Sequence, residues 1–237
     1  MTSTRQTGPA ETEIAGYPAV LAIVELGPPG APPTWSLPCY EVADLERLVD
    51  RGALLNAETV PDPPYWALTW TGAKAIARAL LADPPTTPRR VLDLGCGLGL
   101  AGVAAGLAGD RVTFADRVPH CLDFARANAE LNGLSEFDTI RVDFACDRLE
   151  RRFDLILAAD IVYEPANYRA LADFLDLHLE AYGSILLTET LRADATRFLG
   201  TMIAKGYADR KTAEWVMEEG RRERTWLHVL RPAGHGA

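Results

Sequence analysis

The stretch that decides the fold is Val91-Leu-Asp-Leu-Gly-Cys-Gly-Leu-Gly-Leu-Ala-Gly102, in which a short apolar strand runs into a glycine-rich turn and then an Ala-rich helix. Glycine at such a turn permits unusual φ angles and lets a ligand lie directly against the backbone. The last three glycines also spell G-x-G-x-x-G, the dinucleotide pattern, which is a weak signal by itself. The stretch therefore predicts a nucleotide-like ligand at Gly95, Gly97 and Gly99.

Strand and helix patterns alternate on both sides of this turn. The predicted helices cover residues 71–81, 98–107, 119–131 and 168–179, and the predicted strands cover residues 90–94, 111–115, 139–142, 153–159, 184–188 and 225–230. Such alternation is typical of an α/β fold with a mostly parallel sheet and helices on both faces. We therefore predict a Rossmann-like domain over residues 61–237.

Residues 1–60 are rich in proline and glycine, and we interpret them as a small extension packed on the main domain. Residues 19–26 have strand-like composition and are followed by a Gly-Pro-Pro-Gly break. Apolar residues at Val42, Leu45 and Leu48 follow a helical period, which predicts a short helix over residues 41–48.

Composition narrows the classes of function. The net charge of −9 disfavours nucleic acid as a partner, because phosphate contacts need clustered Lys and Arg, and it suits a basic substrate protein better. The four cysteines form no C-x-x-C pair and the four histidines show no ligand spacing, so we expect reduced thiols and no metal site. Without a signal-peptide layout in residues 1–13 or an apolar run of roughly 20 residues, we expect a cytoplasmic protein with no membrane partner.

Two carboxylates at predicted strand ends choose the ligand. Asp93 stands two residues before the first glycine and is expected to face the ligand. A pyrophosphate would be repelled there, whereas the amino group and sulfonium of S-adenosylmethionine are cationic and would be attracted. Asp116 ends the next strand and can accept both hydroxyls of an adenosine ribose, which suits either cofactor. Asp93 therefore favours S-adenosylmethionine over NAD.

Asp143 and Phe144 follow the third strand of the alternating region, where an adenine ring would arrive. The carboxylate can accept the exocyclic amine while the phenyl ring packs on the base. A polar strand end beside a core phenylalanine is the alternative interpretation.

With these residues in view, the sequence resembles the seven-strand class I methyltransferases and, within them, a group of small protein-lysine methyltransferases. Three motifs carry the resemblance: Tyr65-Trp-Ala-Leu-Thr-Trp-Thr-Gly72, the glycine turn from Asp93 to Gly99, and Asp160-Ile-Val-Tyr163-Glu164, which matches the group's D-x-x-Y. The chain departs from the group in having Phe144 where tryptophan is common, and in its long N-terminal extension.

The resemblance implies a seven-stranded sheet, S-adenosylmethionine as cofactor and a protein lysine as acceptor. It also implies that Trp70 lines the cofactor pocket and that Asp160 and Tyr163 line the amine site. Extensions commonly shape substrate recognition in such enzymes, which makes residues 1–60 a candidate recognition element. Core packing for Trp66 and Trp70, and helix capping for Asp160 just before Glu164, stay open as structural alternatives.

Other functions also stay open at this point. A small-molecule N- or O-methyltransferase would use the same donor site, an NAD-dependent oxidoreductase would share the glycine turn, and a non-catalytic binder would hold the donor without transferring its methyl group. The Asp-Pro-Pro-Tyr sequence at residues 62–65 spells a motif of DNA adenine and glutamine amide methyltransferases, but it precedes the glycine turn by only one helix, and we interpret it as a loop.

Overall fold

The structure, a computed structural model, describes residues 12–28, 32–44, 48, 64–189, 195–218 and 221–234. Its strands are β1 (Thr12–Ile14), β2 (Tyr17–Leu26), β3 (Trp35–Val42), β4 (Arg90–Leu94), β5 (Arg111–Asp116), β6 (Phe137–Arg141), β7 (Phe153–Ala159), β8 (Leu179–Glu189), β9 (Tyr207–Glu218) and β10 (Arg221–Pro232). Its α-helices are α1 (Thr71–Ala82), α2 (Leu100–Leu107), α3 (Pro119–Leu131), α4 (Tyr168–His178) and α5 (Thr196–Ala204).

The main sheet has seven strands in the order β6-β5-β4-β7-β8-β10-β9. The first five of these run parallel, and β10 is inserted antiparallel between β8 and β9. The chain leaves β4 to build one side of the sheet and returns beside β4 with β7. The strand order therefore reverses at β4, the position where ligands bind in open α/β sheets.

Helices cover both faces of this sheet. Successive residues of β4 point in opposite directions, so Val91 joins one hydrophobic core and Leu92 the other. The first core lies under α1, α2 and α3, where Ile76 and Phe124 are fully buried, and the second lies under α4 and α5. Both sides of the central strands are thus covered, which explains their continuous apolar sequences.

A second, antiparallel sheet of β1, β2 and β3 packs on α3. Asn128 of α3 is 1% exposed and makes the docking contact. Its Oδ1 accepts a 2.6 Å hydrogen bond from the Tyr40 amide, and its Nδ2 donates to the Leu98 carbonyl at 2.9 Å and to the Tyr40 carbonyl at 3.2 Å. Asn132 adds a 2.8 Å bond from Nδ2 to the Pro38 carbonyl. One asparagine therefore ties the N-terminal sheet to the end of the glycine turn.

The predicted α/β fold and its seven-stranded sheet are confirmed, with most element bounds within two residues of the prediction, although β8 and β10 start five and four residues earlier than predicted. The helix predicted for residues 41–48 is wrong at its start, because Glu41 and Val42 continue the β2–β3 ladder opposite Val20 and Ala19. Residues 45–47 lie outside the described part of the chain. Sequence patterns missed β1, β3, α5 and β9. No helix among the described residues is both long and apolar enough to cross a membrane.

Candidate functional site

A cavity of about 570 Å³ opens where the carboxyl ends of β4, β5 and β7 meet. This volume lies in the range of small-molecule and cofactor sites. Aromatic rings, acids and the glycine turn are all among its lining residues, which include Tyr17, Tyr65, Trp66, Trp70, Gly95, Cys96, Gly97, Leu98, Asp116, Arg117, Asp143, Phe144, Asp160, Ile161, Tyr163 and Glu189.

The glycine turn forms the floor of the cavity. Gly95 and Gly97 line it with φ angles of +65° and +52°, a region that non-glycine residues rarely adopt. Gly99, at φ +83°, ends the turn as the N-cap of α2 but does not line the cavity. A Cβ atom on Gly99 would lie 2.9 Å from Cβ of Ala125 and 3.2 Å from Phe114, so this glycine permits helix packing instead of ligand contact.

Asp93 differs from the sequence expectation. Its side chain is 1% exposed, lies beneath the turn and does not line the cavity. Its Oδ2 accepts a 2.9 Å hydrogen bond from the Gly102 amide in the first turn of α2. Burial, with a smaller contribution from Asp116, raises the pKa of Asp93 to about 7, although the Gly102 bond opposes the rise. Asp93 thus braces the turn, and it does not face the ligand as predicted.

Asp116 does line the cavity, at the end of β5. Its two carboxylate oxygens accept hydrogen bonds from two backbone amides, Gly97 at 3.2 Å and Val118 at 3.0 Å. These bonds fix the carboxylate against the glycine turn. Each carboxylate oxygen has a second lone pair, so the group can still accept the hydroxyls of a ribose.

Asp143 and Phe144 form the wall of the cavity next to Asp116. Asp143 also shapes its own turn, because its Oδ1 accepts a 2.9 Å bond from the Ala145 amide and its backbone amide donates to Asp147 at 2.8 Å. The structure therefore brings together the acid and the ring that were expected at an adenine, on the same side of the cavity as Asp116.

An aromatic row forms the mouth of the cavity. The Trp70 indole donates a 2.7 Å hydrogen bond to the Tyr65 carbonyl, and the two rings meet edge to face at 5.8 Å. Tyr65 in turn packs on Tyr163, again with centroids 5.8 Å apart. Tyr65 and Tyr163 are 45% and 50% exposed, so both rings face the surroundings at the rim. Trp70 and Tyr163 both line the cavity, as does Tyr65, which sequence reasoning did not name as a site residue.

Asp160 of the D-x-x-Y motif is hydrogen-bonded to the motif that ends at Gly72. Its backbone has φ +53°, uncommon for a residue with a side chain, and its amide donates a 3.2 Å bond to Oγ1 of Thr188. This conformation directs Oδ2 to the start of α1, where it accepts a 2.8 Å bond from the Gly72 amide. The positive end of the helix dipole stabilises a carboxylate there. Asp160 therefore caps α1, whereas the N-cap of the short 3-10 helix Pro165–Asn167, the structural alternative for Asp160, is Glu164.

Glu189, which sequence reasoning missed, adds another carboxylate to the cavity. Its Oε1 accepts a 2.9 Å hydrogen bond from the Lys211 ammonium and lies 3.2 Å from Nε2 of His228. His228 is fully buried, and its Nδ1 lies 2.9 Å from the Asp209 carboxylate. These four residues come from β8, β9 and β10. No short-range pattern links them, because only the antiparallel pairing of the last strands brings them together.

The charges of the cavity decide between the candidate ligands. Among its lining residues are four carboxylates and one guanidinium: Asp116, Asp143, Asp160, Glu189 and Arg117. A diphosphate would face net negative charge here, whereas a sulfonium, an amino group or a lysine ammonium would be attracted. The residues present thus fit S-adenosylmethionine, and the acids that a ligand would meet are those that line the cavity and not Asp93.

Two thiols and an acid meet below the turn. One candidate ligand atom each from Cys96, Asp116 and Cys121 lies within 4.8 Å of the others, the one such group among the described residues. Burial raises the pKa of Cys96 well above its usual value, which favours a neutral thiol over the thiolate that a metal ion requires. We therefore treat this group as part of the turn's packing.

Comparison with known proteins agrees with this geometry. A family model described as lysine methyltransferase matches residues 69–205, more than half of the chain. The chain belongs to this lysine methyltransferase family. The match begins at Thr69, inside the first motif of the predicted resemblance, and contains the whole of the glycine turn and of the D-x-x-Y motif. The resemblance is confirmed.

The alignments with individual relatives cover only about half of each relative's length. The electron transfer flavoprotein beta subunit lysine methyltransferase of Danio rerio is 36% identical over 135 residues, which are 56% of this chain and 52% of that protein. The enzyme of the same name from Rattus norvegicus is 36% identical over 130 residues, 52% of this chain and 49% of that protein. The chain therefore spans about half the length of these curated relatives.

Solved structures support the fold alone. A TehB-like SAM-dependent methyltransferase from Corynebacterium glutamicum superposes with a TM-score of 0.52 and 23% identity, covering 67% of this chain and 87% of that one. The seven-stranded architecture is thus a known methyltransferase scaffold.

Proposed function

We propose that this chain transfers a methyl group from S-adenosylmethionine to the ε-nitrogen of a lysine in a substrate protein. The observation that carries the proposal is the acid-lined cavity between the glycine turn and the D-x-x-Y segment, with the Asp160 carboxylate fixed at the start of α1. Membership of the lysine methyltransferase family supports the same donor and acceptor. The four free cysteines support a reducing compartment such as the cytoplasm.

The donor half of the cavity is assigned to the glycine turn and the first three alternating strands. Gly95 and Gly97 leave room for a ligand against the backbone, and a Cβ atom on Gly97 would already lie 3.2 Å from the Trp66 carbonyl. Asp116 would accept ribose hydroxyls, and Asp143 with Phe144 would hold the adenine. When bound, S-adenosylmethionine would supply a methyl carbon for in-line attack by an acceptor nitrogen. The C–N bond would form as the C–S bond breaks, and S-adenosylhomocysteine would leave.

The acceptor half must attract a lysine and allow it to lose a proton. A lysine with its reference pKa near 10.4 costs roughly 4–5 kcal/mol to deprotonate at pH 7. The carboxylates of Asp160 and Glu189 favour the ammonium form, so we assign them to capture and orientation. Desolvation inside the cavity and the neighbouring sulfonium charge favour proton loss. The Tyr163 hydroxyl at the rim would orient the amine so that its nitrogen lone pair is in line with the methyl–sulfur bond.

The N-terminal sheet belongs to the same proposal. Tyr17 of β2 lines the cavity and packs edge to face on Trp66 at 5.8 Å. Residues 1–60 would therefore contribute to substrate recognition next to a methyltransferase domain over residues 61–237.

Methyl transfer to protein lysine is the direct test. The chain is incubated with S-adenosylmethionine carrying a labelled methyl group and a cell lysate, and the protein fraction is hydrolysed and examined for methyllysine. We expect methyllysine, with Asp160→Ala and Tyr163→Phe each lowering its formation by about 100-fold. Tyr182→Phe, at a tyrosine that is 84% exposed on β8, is the matched control and should keep full activity.

Three results would overturn parts of this proposal. Label found in small molecules alone would assign the chain to the small-molecule methyltransferases. Normal methyllysine formation by both variants would remove Asp160 and Tyr163 from the acceptor site. Loss of S-adenosylhomocysteine affinity without any separate loss of turnover would move both residues to the donor site.

A further inference from the structure

The hairpin of β9 and β10 carries a cluster of cations and indoles on one face. Side chains directly opposite each other in an antiparallel pair share a face, and Arg224 is opposite Trp215 while Trp226 is opposite Ala213. Lys211 and Arg222 stand two residues further along the same face. We call this set, namely Lys211, Trp215, Arg222, Arg224 and Trp226, the basic hairpin face.

The cations of this face are stacked on the indoles. The Arg222 guanidinium carbon lies 4.1 Å from the ring centre of Trp215, and that of Arg224 lies 4.9 Å from the ring centre of Trp226. The Lys211 ammonium lies 4.3 Å from the ring centre of Trp226. A guanidinium that stacks through its flat face keeps its N–H edge for a carboxylate, and its geometry is already fixed.

On the opposite face of the hairpin, two acids of β9 are paired with cations of the main domain. There α1 packs on β9, with ion pairs from Arg78 to Glu214 and from Lys74 to Glu218. On the basic hairpin face, Lys211 pairs with Glu189. Within the described ranges, however, no carboxylate lies within 4 Å of the Arg222 or Arg224 guanidinium. Arg222 is exposed and Arg224 half-buried, so this face presents positive charge on a chain whose net charge is −9.

This face is continuous with the acceptor half of the cavity. Trp226 is the register partner of Glu189, which lines the cavity, and the Lys211 ammonium contacts both the Glu189 carboxylate and the Trp226 ring. Side chains two apart on a strand lie about 7 Å from each other. Arg224 and Arg222 therefore stand roughly 7 and 14 Å beyond Trp226, a distance that an extended peptide crosses in two to four residues.

We propose that the basic hairpin face docks an acidic segment of the substrate protein that lies a few residues from the methylated lysine. The inference rests on the proposed function and names its substrate class. Carboxylates match the fork of a stacked guanidinium, and the aromatic surface supplies apolar contact for the segment. The carboxylates elsewhere on the chain would repel a nucleic acid strand that extends past the hairpin, which favours a short acidic peptide as the occupant.

Binding to the chain saturated with S-adenosylhomocysteine tests the docking without requiring turnover. The probe is a fluorescein-labelled peptide of twelve residues with one lysine and a run of Glu and Asp, compared with the same peptide carrying Gln and Asn. Fluorescence anisotropy is measured at about 50 mM and about 500 mM salt. The variant is the double charge reversal Arg222→Glu with Arg224→Glu. The matched control is Arg221→Glu, since Arg221 is opposite Glu218 on the other face.

We expect the acidic peptide to bind the parent chain at low salt, to lose at least about tenfold in affinity with the double reversal, and to keep its affinity with Arg221→Glu. Equal affinity for the double reversal and the parent would overturn the proposal, as would an equal loss in Arg221→Glu. Stronger binding of a twelve-nucleotide single strand than of the peptide at this face would overturn it in favour of nucleic acid. An unchanged S-adenosylhomocysteine affinity of every variant shows that the donor site is intact, so a failed docking is distinct from a failed methyltransferase.

Discussion

The backbone amide of Gly72 donates a 2.8 Å hydrogen bond to Oδ2 of Asp160 and so joins the first turn of α1 to the loop after β7. A Cβ atom on residue 72 would lie 2.5 Å from Asp160 Oδ2 and would also overlap Thr188 Oγ1, closer than packed atoms approach. Only glycine leaves room for this carboxylate. The contact explains why the Trp-Thr-Gly segment and the D-x-x-Y motif occur together in one sequence.

Gly72→Ala should therefore displace the Asp160 carboxylate. The far ends of Asp160 and Thr188 can rotate away, so we expect the chain to fold while the acceptor site loses its alignment. A misplacement of about 1 Å at a reacting centre can cost on the order of 100-fold in rate. We expect kcat for lysine methylation to fall by at least about tenfold, with the S-adenosylhomocysteine Kd essentially unchanged, as measured by steady-state kinetics and calorimetry.

Gly200→Ala serves as the control for that substitution. Gly200 lies inside α5, and a Cβ atom there would meet nothing within 4 Å. Alanine in a helix interior should raise stability by about 0.5–1 kcal/mol and leave kcat alone. If Gly72→Ala kept the parent's kcat, the assigned role of the Gly72–Asp160 bond would be wrong.

Asn128→Ala should weaken both the fold and the donor site. The Asn128 side chain accepts a hydrogen bond from the Tyr40 amide and donates to the carbonyls of Tyr40 and Leu98. In the variant these three backbone groups would each lose a hydrogen-bond partner. Unsatisfied buried polar groups cost about 1–3 kcal/mol each, so we expect the free energy of unfolding to drop by about 2–4 kcal/mol. Because Leu98 lines the cavity, S-adenosylhomocysteine should also bind several-fold more weakly.

The control here is Asn167→Ala, whose half-buried side chain donates a 2.7 Å hydrogen bond to the exposed Glu164 carboxylate. An exposed contact of this kind should contribute less than about 0.5 kcal/mol. Urea unfolding of both variants is the measurement, and equal stabilities for the two would show that Asn128 does not dock the N-terminal sheet.

Asp93→Asn should change how stability depends on pH. The carboxyl pKa is raised from 3.8 to about 7 in the folded chain, mainly by burial, so the folded state holds a proton that the unfolded state has released between these values. Stability contributed by this group therefore falls as pH rises through that window. Between about pH 5 and pH 8 the free energy of unfolding of the parent should therefore fall by about 2–3 kcal/mol because of Asp93, and this decrease should be absent in the asparagine variant.

Urea unfolding of both proteins across this pH range isolates the effect, because the other titrating groups are common to both. We expect the difference in unfolding free energy, variant minus parent, to grow with pH. A difference that stayed flat, or that shrank with pH, would show that Asp93 is ionised in the folded chain at low pH.

Local sequence patterns were enough for the central strands and helices. β4, β7 and α3 match their predicted ranges because continuous apolar runs and a Pro start with an Asn-Gly end are strong short-range signals. β9 has no such signal, since most of its side chains are exposed and polar and only Tyr207 and Val216 are buried. Its pairing with β10, not its own periodicity, makes it a strand.

The same distinction holds for the site. Gly97 and Asp116 could be placed at the cavity from the sequence because each stands at a fixed offset within a strand-turn-helix unit, whereas Trp70 was expected there only from the family resemblance. Asp93 was placed wrongly because strand position gives the end of the sheet but not which way a side chain turns, and its bond to Gly102 takes it below the turn. Glu189 was missed because it reaches the cavity only through strand pairing.

Ligand selectivity of the cavity tests the central claim most directly. Thermal unfolding is followed with S-adenosylmethionine and with NAD, each at about 100 times the Kd measured for the former, with Asp116→Ala as the site variant. We expect S-adenosylmethionine to stabilise the chain by about 2.7 kcal/mol and to raise its Tm by about 5–10 °C, with little change in Tm for NAD and no shift in the variant. A larger shift with NAD, or none with S-adenosylmethionine, would contradict the central claim.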